Sequence, residues 1–463
     1  MRYVSTRGRA PALSFEEAML AGLARDGGLY VPETWPTLTG ADIAGFAGES
    51  YEQVAFAVMR PFMGGCFDDA HLTALIARAY AGFGHVARAP LAHIAPNDWI
   101  LELHHGPTLA FKDFAMQLIG PMIDAVLARR GARATVVGAT SGDTGSAAIE
   151  AFRGLDRVDV FILYPHGRVS EVQRRQMTTP ADANVHAFAV EGDFDACQAL
   201  VKAMFNDFAF RDALALTAVN SINWARVLAQ VVYYFTAAVA LGAPARPVAF
   251  SAPTGNFGDI FAGYVARNMG LPIAKLIVAT NENDILHRTL TTGAHMKAGV
   301  TPTITPSMDI EVSSNFERLL FDLYDRDGGA VSELMDELAR GGFTLAQGAR
   351  ARMAEGFASG RASQDETRAA IARAYAEAGQ VIDPHTAVGL VAAAANRGDP
   401  SVPMITLGTA HAAKFPDAVE AACGVRPALP ARMADLFDRP ERFEVLPNDL
   451  GAVEAAIRER ARA

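Results

Sequence analysis

The spacing of apolar positions changes near residue 95. Before that point, residues 1–95 read as mainly helical. Ser14 stands ahead of Phe15-Glu16-Glu17 at capping-box spacing, and Asp26-Gly27-Gly28 is expected to end that helix. From Trp99 onward, short apolar runs alternate with helical stretches. Strands are predicted at 99–103, 134–137, 158–164, 184–190, 215–219, 247–251 and 275–279. Helices are predicted at 107–130 (apolar Phe111, Phe114, Ala115, Leu118, Ile119 and Met122), at 146–152 and 196–205, and up to 241 and 269. This order implies an α/β fold, with parallel sheet covered on both faces by helices. In such folds ligands sit at the carboxyl ends of strands, in the loops that open the next helix. Beyond residue 300 the alternation loosens. Residues 301–306 read as loop, the Ala-, Arg- and Glu-rich stretch 328–380 as helical, 386–396 as helix, and 402–407 as a strand running into Gly408-Thr409-Ala410-His411. The tail is rich in alanine and arginine, and no internal repeat or low-complexity linker interrupts the chain.

Composition narrows the class. The 463 residues are 51% hydrophobic and 20% charged, enough apolar surface for large cores and for about three domains at ~150 residues each. The formal charge of −10 disfavours nucleic acid as a partner. The longest apolar stretch, 227–241, contains Gln230 and Thr236 and falls short of the ~18–20 residues that span a bilayer. The first twenty residues lack the apolar core of a signal peptide. Cys66, Cys197 and Cys423 lie far apart and fit a reducing, cytoplasmic setting. No HxH, HExxH or CxxC spacing suggests a metal, and His104 and His105 would point to opposite faces if they lay on a strand. Lysines are scarce: Lys112, Lys202, Lys275, Lys297 and Lys414, among 41 basic residues.

Three loops could carry chemistry. Thr140-Ser141-Gly142-Asp143-Thr144-Gly145 lies between a strand and a helix. It suits a carboxylate or phosphate at a helix N-terminus, or equally a helix cap with glycines for a tight turn. It does not match GxGxxG, the P-loop or GxSxG. Thr254-Gly255-Asn256-Phe257-Gly258-Asp259 has two glycines three apart, a spacing that can build a backbone nest for phosphate, with Asp259 able to cap the helix. Lys112 comes early in an otherwise apolar helix, between Phe111 and Phe114. Desolvation and the helix dipole would lower its pKa and leave an amine able to form a Schiff base; the alternative is a lysine that snorkels its head into water.

Taken together and in order, these motifs resemble the threonine synthases, in their longer bacterial and fungal branch. The matching segments are YVSTRG (3–8), DGGLYVP (26–32), HGPTLAFKDFAMQ (105–117), TSGDTGSAA (140–148), NSINWARVLAQ (220–230), PTGNFGDIFAGY (253–264), ATNENDIL (279–286), SMDIEVSSNFERLLF (307–321) and TAHAAKF (409–415). The resemblance implies a fold type II pyridoxal 5'-phosphate enzyme. It would have two open, twisted, mostly parallel sheet domains: a large cofactor-binding one over 96–130 and 221–463, and a smaller mobile one over 131–220. A helical N-terminal domain would occupy 1–95. It further implies that Lys112 forms the Schiff base with the cofactor, that Gly255, Asn256, Phe257, Gly258 and Asp259 form the loop for its phosphate, and that Thr409 faces its ring nitrogen. Thr140, Ser141, Gly142, Asp143 and Thr144 would grip the substrate carboxylate and border the cofactor ring. Related enzymes usually have Asn where Asp143 stands. Asn223 and Arg226 are the candidates for the substrate phosphate.

The implied reaction is the last step of threonine biosynthesis. It turns O-phospho-L-homoserine and water into L-threonine and phosphate by γ-elimination and β-replacement, a carbon–oxygen lyase chemistry with Lys112 as general base. Closure of the mobile domain on substrate is expected, with no membrane and no obligate protein partner. Two rivals are a serine/threonine dehydratase of the same fold, which would release ammonia from threonine, and a binding protein that has lost turnover. The NSINWAR and SMDI segments, the lysine and the phosphate loop all favour the synthase.

Overall fold

Eight consecutive residues, Val158–Pro165, are buried without alternation, and so are the six of Val248–Pro253. Continuous burial means that both faces are covered, the condition of a central parallel strand. The computed structural model describes residues 1–140, 142–217 and 221–462 and contains two such sheets. The large sheet runs Phe357–Arg361, Ile273–Thr280, Val248–Pro253, Met404–Gly408, Asp98–Glu102, Leu91–Ala95. It is parallel except for its last pair. The small sheet runs Glu444–Leu446, Val185–Val190, Val158–Pro165, Ala134–Ala139, Leu216–Thr217 and is parallel throughout. Residues 218–219 of the strand expected over 215–219 lie outside the described residues.

Several sequence expectations need correction. The helix Phe15–Ala21 has its Ser14–Glu17 capping box but ends at Gly22, where φ is 65°. Asp26 instead accepts hydrogen bonds from Ser5 Oγ and from the N–H groups of Arg9, Ala10 and Gly28, tying the 26–28 turn to residues 5–10. Residues 328–380 are not one helical stretch. The helices Gly328–Ala339, Gln347–Gly356 and Gln364–Ala378 are separated by the strands Gly342–Thr344 and Phe357–Arg361. Phe357–Arg361 completes the edge of the large sheet, and its Gly360 lies so close to a neighbouring helix that a Cβ would meet Ala392 at 2.7 Å. Leu91–Ala95, expected within the helical N-terminal region, pairs with Asp98–Glu102 in the large sheet.

The end of the chain departs furthest from expectation. Glu444–Leu446 pairs with Val185–Val190, and the helix Leu450–Arg460 covers the small sheet, burying Val453 and Ile457 against Phe188, Val190 and Leu200. Arg462 Nε lies 2.6 Å from the buried Asp159 carboxylate on the central strand. The tail therefore packs with the small sheet, although residues 221–463 were expected to belong wholly to the large one.

The N-terminal helices Tyr51–Met63 and Asp69–Tyr80 support the Lys112 helix. Phe83 and Phe114 have ring centroids 4.8 Å apart, and Phe114 and Tyr233 5.5 Å. Tyr80 donates to the carbonyl of Phe114 at 3.0 Å. This cluster fixes the helix that begins with Lys112 against the helix that carries Arg226, Trp224–Ala240. Among the described residues no helix is long and apolar enough to cross a membrane.

Candidate active site

The helix expected from 107 begins at Lys112 and runs to Arg130. Residues 108–111 are held out of it. Leu109 has φ +62°, Phe111 N donates to Thr409 O at 2.9 Å, and His411 N donates to Leu109 O at 3.0 Å. The buried Asp113 carboxylate accepts both the N–H and the hydroxyl of Thr108, at 2.8 and 2.6 Å. Gly106 admits this clasp, since a Cβ there would lie 2.4 Å from Asp113. The segment carrying the amine is thereby latched to the loop carrying Thr409, which ends the strand Met404–Gly408.

One cleft is lined by Phe111, Lys112, Asp143, Thr144, Arg226, Thr409 and the 253–259 loop, with Ser221, Gln230, Ser307, Met308 and His385. Lys112, Asp143, Thr144, Arg226, Gly255, Asn256, Phe257, Gly258, Asp259 and Thr409 thus meet, as the sequence suggested. Ser141 lies outside the described residues. Thr140 shapes its loop from within: its Oγ accepts the N–H groups of Gly142 and Gly145, each at 2.9 Å. Asn223 is not among the lining residues. Its Oδ1 caps the helix by accepting from Ala225 N at 3.0 Å, and its Nδ2 donates to Met19 O at 2.8 Å, so both ends of the amide are spent on structure.

The charges are arranged around Asp143, which opens the helix Asp143–Phe152. Its Oδ2 lies 3.4 Å from Lys112 Nζ, while its Oδ1 lies 2.6 Å from Lys414 Nζ and accepts from Gln173 Nε2 at 2.8 Å. Burial alone would raise the Asp143 pKa, but Lys414 and Lys112 together hold it well below the usual carboxylate range. Burial lowers the pKa of Lys112; Asp143 opposes the shift, and Lys414 and Arg226 add to it. Lys414 is fully buried and also donates to Thr108 O at 2.9 Å. Sequence reasoning missed it, although it is one of five lysines and lies inside the TAHAAKF segment. His385 was missed as well; its Nδ1 lies 2.9 Å from the Asp383 carboxylate, and its Nε2 accepts weakly from Ser307 N at 3.4 Å.

The cleft fits an aldehyde cofactor with an anionic tail. Among the described residues, the N–H groups of Gly255 to Asp259 find no acceptor in the protein, as expected at the open end of a helix. Phe257 holds φ +62° to turn the loop into the helix Gly258–Asn268. A Cβ on Gly255 would lie 2.7 Å from Ser307 O, so only glycine leaves this cradle open. Arg226 is buried with Nε and Nη1 unpartnered, a second demand for an anion. Burial pushes its pKa down to about 10, which leaves it charged at neutral pH. Asp259 is the exception in this electropositive setting. Tyr233 and Tyr234 donate to its Oδ1, its Oδ2 is unpartnered, and burial raises its pKa to about 7.

Comparison with known proteins agrees with this geometry. The family model described as pyridoxal-phosphate dependent enzyme matches residues 87–362. Those described as threonine synthase N terminus and threonine synthase, C-terminal match 2–80 and 386–457. The threonine synthase of Pseudomonas aeruginosa is 58% identical over 459 residues, covering 99% of this chain and 98% of that protein. The crystal structure of a PLP-bound threonine synthase from Brucella melitensis matches with TM-score 0.99 and 57% identity, covering 100% of both chains. The yeast threonine synthase structure matches with TM-score 0.95 and 42% identity, covering 99% of this chain and 98% of that one.

Proposed function

The chain belongs to the threonine synthase family of pyridoxal-phosphate-dependent enzymes, and on that premise we propose that its cleft converts O-phospho-L-homoserine and water to L-threonine and phosphate, in the cytoplasm. The observation that carries this reading is Arg226, a buried guanidinium with two unpartnered nitrogens, Nε and Nη1, in the same cleft as Lys112. The 255–259 loop would hold the cofactor's phosphate, so a further anion-binding group suits a substrate that brings a phosphate of its own. Arginine matches that group through the several N–H donors of its planar guanidinium.

Lys112 would hold the cofactor's aldehyde, Gly255 to Gly258 its phosphate, and Thr409 its ring nitrogen. When bound, pyridoxal phosphate draws electrons from the carbon that carries the substrate amine, which permits loss of phosphate at the γ-carbon and addition of water at the β-carbon. The protein's own groups do the rest. Nζ of Lys112, its proton affinity lowered by burial, takes the α-proton and later returns it; a β-proton also leaves as phosphate departs, and the γ-carbon gains a proton to become the methyl group of threonine. The N-terminus of Asp143–Phe152, with Thr144 beside it, receives the α-carboxylate. Arg226 fixes the far end of the substrate, so both ends are gripped while Phe111 and Met308 exclude bulk water.

The test is to incubate the protein with O-phospho-L-homoserine and measure phosphate and threonine, which should form in equal amounts; release of phosphate without threonine would defeat the reading. Lys112→Ala should lower turnover by at least ~10²–10⁴-fold and remove the visible absorbance of the bound cofactor. Borohydride should fix the cofactor to Lys112, and fixation at another lysine would overturn the site. Arg226→Ala should raise KM at least about tenfold, the worth of one charge-assisted hydrogen bond.

A further inference from the structure

The carboxylate at position 143 has two amines and one hydroxyl-free amide around it, and they are not equivalent. Lys414 Nζ lies 2.6 Å from Oδ1, is fully buried, and is further held by Thr108 O. Lys112 Nζ lies 3.4 Å from Oδ2, and its side chain retains 11% exposure to the cleft. We propose that Lys414 is a positioning residue for the Lys112 nitrogen: it is the permanent counter-ion of Asp143 and acts on Lys112 through that carboxylate.

Charge balance supports this assignment. If Lys112 is uncharged, Asp143 and Lys414 form a neutral buried pair; without Lys414, the ionised carboxylate would have to be balanced by a protonated Lys112. The other charged groups facing Lys112 do not offer this compensation. Arg226, on Trp224–Ala240, is a second cation, and Asp259, on Gly258–Asn268, is an acid that burial keeps close to neutral. His385 lines the same cleft and is tied to Asp383. Asp113 faces Lys414 but is committed to Thr108. Asp143 and Lys414 are therefore a joint device. An asparagine at 143 would need no buried cation, whereas the aspartate found here does, and the 409–415 segment supplies it.

The inference rests on Lys112 being the cofactor-bearing amine, which borohydride trapping tests separately. Its own test is a pH titration of the visible spectrum of the holoenzyme, which reads protonation of the Lys112 nitrogen without turnover. Lys414→Met should raise the midpoint by at least about one pH unit, a tenfold gain in proton affinity, because Asp143 is left with Lys112 as its cation. Lys414→Arg, which keeps the charge, should restore the parent midpoint. Asp143→Asn should move the midpoint down, and it decides the question if Lys414→Met does not fold. A purely structural lysine predicts lower stability with the midpoint in place. An unchanged midpoint in folded Lys414→Met, or in Asp143→Asn, would overturn the proposal.

Discussion

Asp259 is a carboxyl group at the end of the proposed phosphate loop, and its surroundings favour the neutral form. Burial raises its pKa to about 7, only partly opposed by the hydroxyls of Tyr233 and Tyr234. In the unfolded chain the same group ionises near ~3.9. Between those values the folded protein holds a proton that the unfolded chain has released, so the contribution of Asp259 to stability is full below about pH 4 and is lost as pH rises to about 7. Asp259→Asn keeps the shape and removes the titration. The unfolding free energy of the variant relative to the parent should therefore grow by on the order of 2–3 kcal/mol between pH 5 and pH 8, checked by urea unfolding at both values. A constant difference would show that Asp259 stays ionised. The same residue scale shows what a sequence can reveal about a site. Lys112 was legible because a lysine between phenylalanines in an apolar helix is a local anomaly. Lys414 was not, because its neighbour Asp143 comes from a distant segment and no local pattern announces their approach. Asn223 was assigned to phosphate from its place near a strand end, but the fold uses its amide to cap a helix and to hold Met19.

At the scale of elements, the site consists of strand-to-helix joins, and these depend on close approach. Gly255 is one such join: a methyl group there would come within 2.7 Å of the backbone oxygen of Ser307, which cannot swing away as a side-chain tip could. Gly255→Ala should push the loop from the 307–308 turn and weaken cofactor binding at least about tenfold, roughly 1.4 kcal/mol, read by titrating the visible absorbance of reconstituted protein. Binding equal to the parent would mean that the turn moves freely and the cradle is less rigid than it looks. The joins were readable in the sequence because apolar runs ending in small and polar residues mark them. Phe357–Arg361 was not, since Phe-Ala-Ser-Gly-Arg has neither a run nor an alternation and is made a strand by its neighbour Ile273–Thr280. The start of the Lys112 helix was also placed too early, because the bonds that hold 108–111 against 409–411 come from the far end of the chain.

At the scale of the whole molecule, the 140–144 loop belongs to the small sheet, and Lys112, the 255–259 loop and Thr409 belong to the large one. Both lysine contacts to Asp143 therefore cross between the two units. We propose that the small sheet, together with the C-terminal strand and helix, forms the mobile unit that closes on substrate. One face of it carries a separate cluster that includes Val137, Phe161, Leu163, Phe188, Val190, Leu446, Val453 and Ile457, while Val136, Val160, Ile162 and Tyr164 on the other face join the main cluster. Ile457 is fully buried there, far in sequence from the strands it covers. Ile457→Ala should cost about 2–5 kcal/mol by leaving a cavity under the small sheet. If the two sheets are separate cooperative units, the loss should be local. Hydrogen exchange should then speed up in Ala134–Ala139, Val158–Pro165 and Val185–Val190 while Val248–Pro253 and Ile273–Thr280 keep their protection. Equal loss of protection in all five strands would show that the chain opens as one body and would defeat the separate mobile unit.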